Sequence, residues 1–131
     1  MPNYTALVTL MAVLLYFYTG VLVARARQKF GVLAPATTGN PDFERVFRVQ
    51  MNTLEWMPIF LPLLWFFALY VNDWSAALLG LVWIVGRAFY IRGYTQAADQ
   101  RHRAFTIQAL ACGALLIGTF AGIVWRMANG W

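Results

Sequence analysis

The chain has 131 residues, of which 61% are hydrophobic, 17% aromatic and only 11% charged. A soluble domain carries roughly 25% charged residues, and a small one has proportionally more surface to cover. The composition therefore excludes a free-standing soluble globule, and it equally excludes disorder, which needs low hydrophobicity and high charge.

Charge-free stretches locate the elements in chain order. The first, Met1 to Ala24, is apolar from the start. It has no charged segment ahead of it and no small-residue cleavage site, so it reads as a retained membrane helix rather than a removed leader. Gln28 to Asp42 follows with Gly31, Pro35, Thr37, Thr38, Gly39, Asn40 and Pro41, and reads as a loop. Pro41-Asp42-Phe43-Glu44 has the proline and first-turn acids of a helix start. The second charge-free stretch, Trp56 to Asn72, is short of the about 20 residues a membrane helix needs. It must extend back through Glu55, Asn52 and Arg48, and Pro58 and Pro62 are expected to bend it. Asn72 and Asp73 make a tight turn, so the second and third helices form a hairpin. The third stretch, Trp74 to Gly86, is also short and must continue through Arg87 to about Tyr94. Gln96 to Arg103 is a polar link, in part a helix extension, and Ala104 to Trp125 supplies the fourth span. The expected fold is an all-α integral membrane domain over residues 1–131. It is a four-helix bundle with spans at about 4–26, 44–71, 74–96 and 104–126.

Charge sorts by side. Ten Arg and Lys stand against five Asp and Glu, a net charge of +5. Arg25, Arg27, Lys29, Arg45, Arg48, Arg92, Arg101 and Arg103 fall in the links after the first and third spans, and only Arg126 falls on the other side. The positive-inside rule then puts both basic links in the cytoplasm and both termini outside, with Tyr4, Trp74, Trp125 and Trp131 at the outer interface. The cations are too scattered for a groove that tracks phosphates, so no nucleic-acid partner is expected. A single cysteine, Cys112, and a single histidine, His102, cannot build a metal cluster. Cys112 reads as packing, and His102 as a solvated or headgroup-facing residue.

The two short spans carry the chemistry, because ionisable residues inside a membrane are costly and mark function. Arg48, Asn52 and Glu55 are spaced i, i+4, i+7 and share one helix face. Arg48 and Glu55 are expected to lie too far apart to pair closely, with Asn52 bridging them by hydrogen bonds. If the third helix runs on to Arg101, then Arg87, Tyr90, Tyr94 and Arg101 form one stripe. The bland alternatives are a polar ladder gluing helices together and an interfacial belt of snorkelling Arg and Tyr. Several arginines suit carboxylates and one glutamate suits an ammonium group. The pattern points to a small multiply charged solute meeting an apolar one from the lipid at the cytoplasmic face.

The run Phe43-Glu44-Arg45-Val46-Phe47-Arg48-Val49-Gln50-Met51-Asn52-Thr53-Leu54-Glu55 with Pro58 resembles the MAPEG family, the membrane-associated proteins in eicosanoid and glutathione metabolism. Arg87-x-x-Tyr90-x-x-Gly93-Tyr94 followed by Arg101, and the Thr37-Thr38-Gly39 loop, are similar to it as well. The similarity extends over nearly the whole chain. It implies a homotrimer with glutathione sites between neighbouring subunits, open to the cytoplasm. The nearest subgroup is that of leukotriene C synthase and the microsomal glutathione S-transferases. There, positions matching Arg48, Asn52, Glu55, Tyr90 and Tyr94 hold glutathione, those matching Gln50 and Arg27 add contacts, and Arg101 matches the arginine that stabilises the thiolate. Arg87 joins the candidate glutathione-binding set. The implied activity is glutathione transfer to hydrophobic electrophiles from the bilayer, or glutathione-dependent reduction of lipid hydroperoxides. With no sorting signal beyond the spans, a bacterial inner membrane and the endoplasmic reticulum fit equally well, with membrane lipids as neighbours.

Two positions depart from the leukotriene C synthase pattern. Gln28 stands where that enzyme has a second arginine, and Trp56 stands where it has a tyrosine. Both argue against leukotriene synthesis specifically. One rival function is a non-enzymatic lipid binder resembling the lipoxygenase-activating protein, which has no need of a thiolate site. Another is a small four-helix exporter, whose coupling glutamate would stand alone and deep, unlike Glu55 beside Arg48 and Asn52.

Overall fold

The computed structural model describes residues 1–96 and 98–130, with side chains described outside 94–101. It contains α1 (Asn3–Phe30), α2 (Pro41–Tyr70), α3 (Asp73–Gln96) and α4 (Ala98–Ala128). At 1.5 Å per residue these helices are about 36–46 Å long, against a hydrocarbon core of about 30 Å. All four are long and apolar enough to cross a membrane. α2 runs through Pro58 and Pro62 without a break, each proline removing only one backbone donor. α4 begins at Ala98, so most of the polar link before the fourth span is helix.

The helix ends explain the boundaries. α1 stops at Gly31, whose φ of 68° is left-handed and whose N–H reaches the Arg27 carbonyl. α2 starts where Asn40 Oδ1 accepts hydrogen bonds from the backbone N–H of Asp42 (2.9 Å) and Phe43 (3.2 Å). Pro41 occupies the first turn, with Asp42 and Glu44 beside the positive end of the helix dipole. Pro2 offers α1 no side-chain cap. Instead Asp73, at the start of α3, accepts from the N–H of Tyr4 (3.2 Å) and Thr5 (2.9 Å). One carboxylate thus faces the starts of two helices, where it is favoured.

These contacts fix the two ends of the bundle. Tyr4 meets Trp74 edge-on at 5.3 Å, and the Arg126 guanidinium lies 5.2 Å from the Tyr70 ring. The opposite end holds the α1–α2 loop and the junction of α3 with α4, with the cluster of cations.

α3 is the central helix. Half of its span is buried, against 22–28% of the other three. Like α2 it packs on all three other helices, whereas among the described residues α1 and α4 do not meet. Phe60 of α2 stacks on Trp83 of α3 with ring centroids 4.0 Å apart. Beside it Gly80 lets Val8 and Leu64 close on α3: a Cβ there would stand 2.7 Å from Val8 and 3.0 Å from Leu64. Gly118 and Gly122 likewise let α4 close on Phe67 and on the Tyr70 carbonyl. Between apolar helices such packing and hydrogen bonds supply the attraction. Trp65 Nε1 donates to Thr9 Oγ1 (2.9 Å), and Gln108 Nε2 to the Gly86 carbonyl (3.3 Å). Large apolar side chains such as Phe17 on α1 and Ile117 on α4 remain exposed, as lipid or a neighbouring subunit requires.

Candidate functional site

The site grows from the first four turns of α2. Arg48 and Glu55 pair directly, Nη1 to Oε1, at 3.5 Å. This corrects the expectation that they need a bridge. Two helical turns separate them, about 10.5 Å of rise, and the long Arg48 stem reaches along the helix to close the gap. Both side chains are 57% exposed. An ion pair so open contributes little to stability, so its presence on an apolar helix is a matter of what covers it.

Asn52 turns inward instead. Its Oδ1 accepts from Arg87 Nη1 at 2.8 Å. A guanidinium has donors and no acceptor, so the amide oxygen must face it. The amide Nδ2, two donors, takes no part in this contact. Arg87 itself is wholly buried. Nη1 also approaches Thr53 Oγ1 (3.4 Å), and the rings of Tyr90 and Trp83 stand 4.5 and 5.4 Å from its carbon Cζ. Nε and Nη2 have no hydrogen-bond acceptor among the described residues. Aromatic faces partly compensate a desolvated cation. The sequence put Arg87 among ligand-facing residues; the structure sets it behind Asn52, with Tyr90 buried beside it.

The other candidates lie elsewhere. Gln50 is two residues from Arg48 and from Asn52, about 200° around the helix. It faces α1 at Gly20, in a hollow of about 480 Å³ floored by Val13, Phe17 and Val21. Arg27 holds the α1–α2 loop, donating to the carbonyls of Ala36 (2.8 Å) and Val32 (3.4 Å) with its guanidinium 4.9 Å from the Phe43 ring. The side chains of Tyr94 and Arg101 lie outside the described residues. The stripe from Arg87 to Arg101 does not lie on one helix, because α3 ends at Gln96 and Arg101 belongs to the first turn of α4. Trp56, next to Glu55, meets Phe105 of α4 edge-on at 5.7 Å and forms an aromatic wall.

The family model for the MAPEG family matches residues 5–121. This chain belongs to the MAPEG family. Human microsomal glutathione S-transferase 2 is 42% identical over 117 residues, covering 89% of this chain and 78% of that protein. Rat leukotriene C4 synthase is 40% identical over 125 residues, covering 95% and 83%. An uncharacterized protein of Synechocystis is 49% identical over 122 residues, covering 93% and 89%. With its four apolar helices, this MAPEG chain is an integral membrane protein of a glutathione-related transferase family.

Sequence reasoning missed three polar residues of this MAPEG bundle. Thr53 donates to the Val49 carbonyl (2.8 Å) and presents its oxygen to Arg87. Gln108 ties α4 to α3 from within a span that reads as featureless. Trp83 lies over the buried guanidinium. A lone amide in an apolar span was a visible signal for Gln108. Nothing in the local pattern identified the other two.

Proposed function

We propose that the protein is a membrane-bound glutathione S-transferase, with glutathione-dependent peroxidase activity as a second outlet, acting as a homotrimer. The observation that carries the reading is the exposed Arg48–Glu55 pair beside an Asn52 amide whose orientation Arg87 fixes. Glutathione offers two carboxylates for Arg48 and the Asn52 amide, and an ammonium group for Glu55. The donor and acceptor types match.

Gln50 belongs to a different face of α2 from Arg48, and Arg27 stands at the α1–α2 loop. One ligand reaches both faces only where two subunits meet, which supports sites between neighbours. Tyr90 and Tyr94 complete the set, and Arg87 acts as a positioning residue through Asn52. The Trp56–Phe105 pair and the large apolar faces of α1 and α4 support a hydrophobic electrophile, or a lipid hydroperoxide, arriving from the bilayer.

The chemistry is activation of the thiol. A free thiol has a pKa of about 8.5, and lowering it by about 2 units requires about 2.7 kcal/mol of preference for the anion. A permanently charged guanidinium in a site sheltered from water supplies a term of this size. Arg101 takes this role. Its position in the first turn of α4 adds the positive end of the helix dipole. The thiol proton leaves to water, and the thiolate attacks the electrophilic carbon of the second substrate. The thioether C–S bond forms as the carbon's bond to a leaving group, or to an epoxide oxygen, breaks, and the departing anion takes up a proton from water. The basic end of the bundle faces the cytoplasm, where glutathione is abundant.

Titration calorimetry of the purified protein with glutathione, paired with thiolate absorbance near neutral pH, tests the proposal. Binding with thiolate formation is expected; no binding would remove it.

A further inference from the structure

At the basic end a hollow of about 430 Å³ opens between α1 and α2. Arg25, Lys29 and Arg45 stand around it, with Asp42 the single acid among its lining residues. Arg45 is held in an ion pair by Asp42. The excess is two positive charges, on Arg25 and Lys29, one helical turn apart on α1. The floor is apolar, formed by Leu22, Ala26 and Val46. Leu22 also lines a second hollow of about 300 Å³ between α1 and α3, with Tyr18, Ile91 and Arg92. Leu22 borders both hollows, and Tyr18, Leu22, Arg25 and Lys29 follow one stripe of α1, a groove that is cationic at the helix end and lined by Leu22 and Tyr18 one turn further in, with Arg92 on its α3 side. Leu22, Arg25 and Lys29 lie nearly half a turn around α1 from Gly20.

We propose that this groove binds an anionic phospholipid of the surrounding leaflet, its phosphodiester on Arg25 and Lys29 and one acyl chain along Leu22 and Tyr18. Charge complementarity selects the headgroup, since basic pockets beside membrane helices attract anionic lipids. The apolar continuation selects a lipid over a soluble phosphate, which would leave that surface uncovered. The site shares no lining residue with the glutathione site and stands independently of it.

The test is native mass spectrometry of the full-length protein in neutral detergent, titrated with dioleoyl phosphatidylglycerol or dioleoyl phosphatidylcholine. Each cation near an anionic lipid contributes about fivefold in affinity. The double variant Arg25→Gln/Lys29→Gln should therefore bind phosphatidylglycerol about 30-fold more weakly. Arg103→Gln/Arg126→Gln, with the same loss of charge elsewhere, should bind as the parent does. Leu22→Trp, which fills the groove and keeps every charge, should weaken binding as well. Equal affinity for the two lipids would overturn the proposal, as would an equal loss in both double variants. Displacement of phosphatidylglycerol by millimolar inorganic phosphate, with Leu22→Trp harmless, would assign the mouth to free phosphate and overturn the lipid.

Discussion

Replacing Arg87 by methionine separates a buried cation that positions from one that binds. Arg87 is wholly buried, and its described hydrogen bonds go only to Asn52 (2.8 Å) and Thr53 (3.4 Å). Neither partner carries charge to offset its desolvation. Replacing such a cation with an apolar chain of similar length is often neutral for stability, because the relieved desolvation offsets the lost contacts. The folded protein should melt within a few degrees of the parent. Asn52 then loses the donor that fixes its amide. One hydrogen bond made by a pre-oriented group contributes about 0.5–1.5 kcal/mol, so glutathione affinity should fall by about 2- to 12-fold. Asn52→Ala should cost about the same, and the double variant no more than Asn52→Ala alone. Calorimetric titration of the parent, both single variants and the double variant closes the cycle. Additive losses would mean that Arg87 touches the ligand itself. A loss of about 2–5 kcal/mol from Arg87→Met alone, the scale of a broken charge pair, would mean the same. A fall in melting temperature with affinity unchanged would leave Arg87 with a purely structural role.

Other expected outcomes follow from the same geometry. Arg48→Ala and Glu55→Ala should each cost about 2–5 kcal/mol of glutathione affinity by calorimetry. Their open pairing means that the melting temperature should hardly move. Arg101→Ala should keep glutathione but lose the thiolate at neutral pH, and recover it at high pH, where hydroxide removes the proton instead; stopped-flow absorbance across pH reads this directly. Gly122→Ala sets a Cβ 2.9 Å from the Tyr70 carbonyl oxygen, a backbone atom that cannot swing aside. Thermal denaturation in detergent should show a loss of about 1–3 kcal/mol. Cysteines introduced at positions 34 and 129 in a Cys112→Ser background should label from the cytoplasmic and the outer side respectively, and the reverse pattern would invert the topology.

The sequence was sufficient for the number of helices, their order and the charge of each end. Runs of apolar residues report how much of a segment must leave water, and Pro41, Asp73 and the cations report where it must return. The Arg48, Asn52 and Glu55 face was legible for the same reason, since helical spacing is a property of one segment. Rotation about the helix axis was not legible. α1 and α3 are apolar nearly all round, so no stripe says which side meets a neighbour. That choice is made by shape, where Gly80 admits Val8 and Leu64 and where Gly118 admits Phe67. Once α3 is rotated by this packing, Arg87 lands inside the bundle on Asn52, and Asp73 lands on the start of α1. Gln50 ends on a different side of α2 from Arg48, and Arg27 is taken up by the carbonyls of the α1–α2 loop. Contacts between residues 35 or 68 positions apart depend on how surfaces fit, and no local pattern encodes that fit.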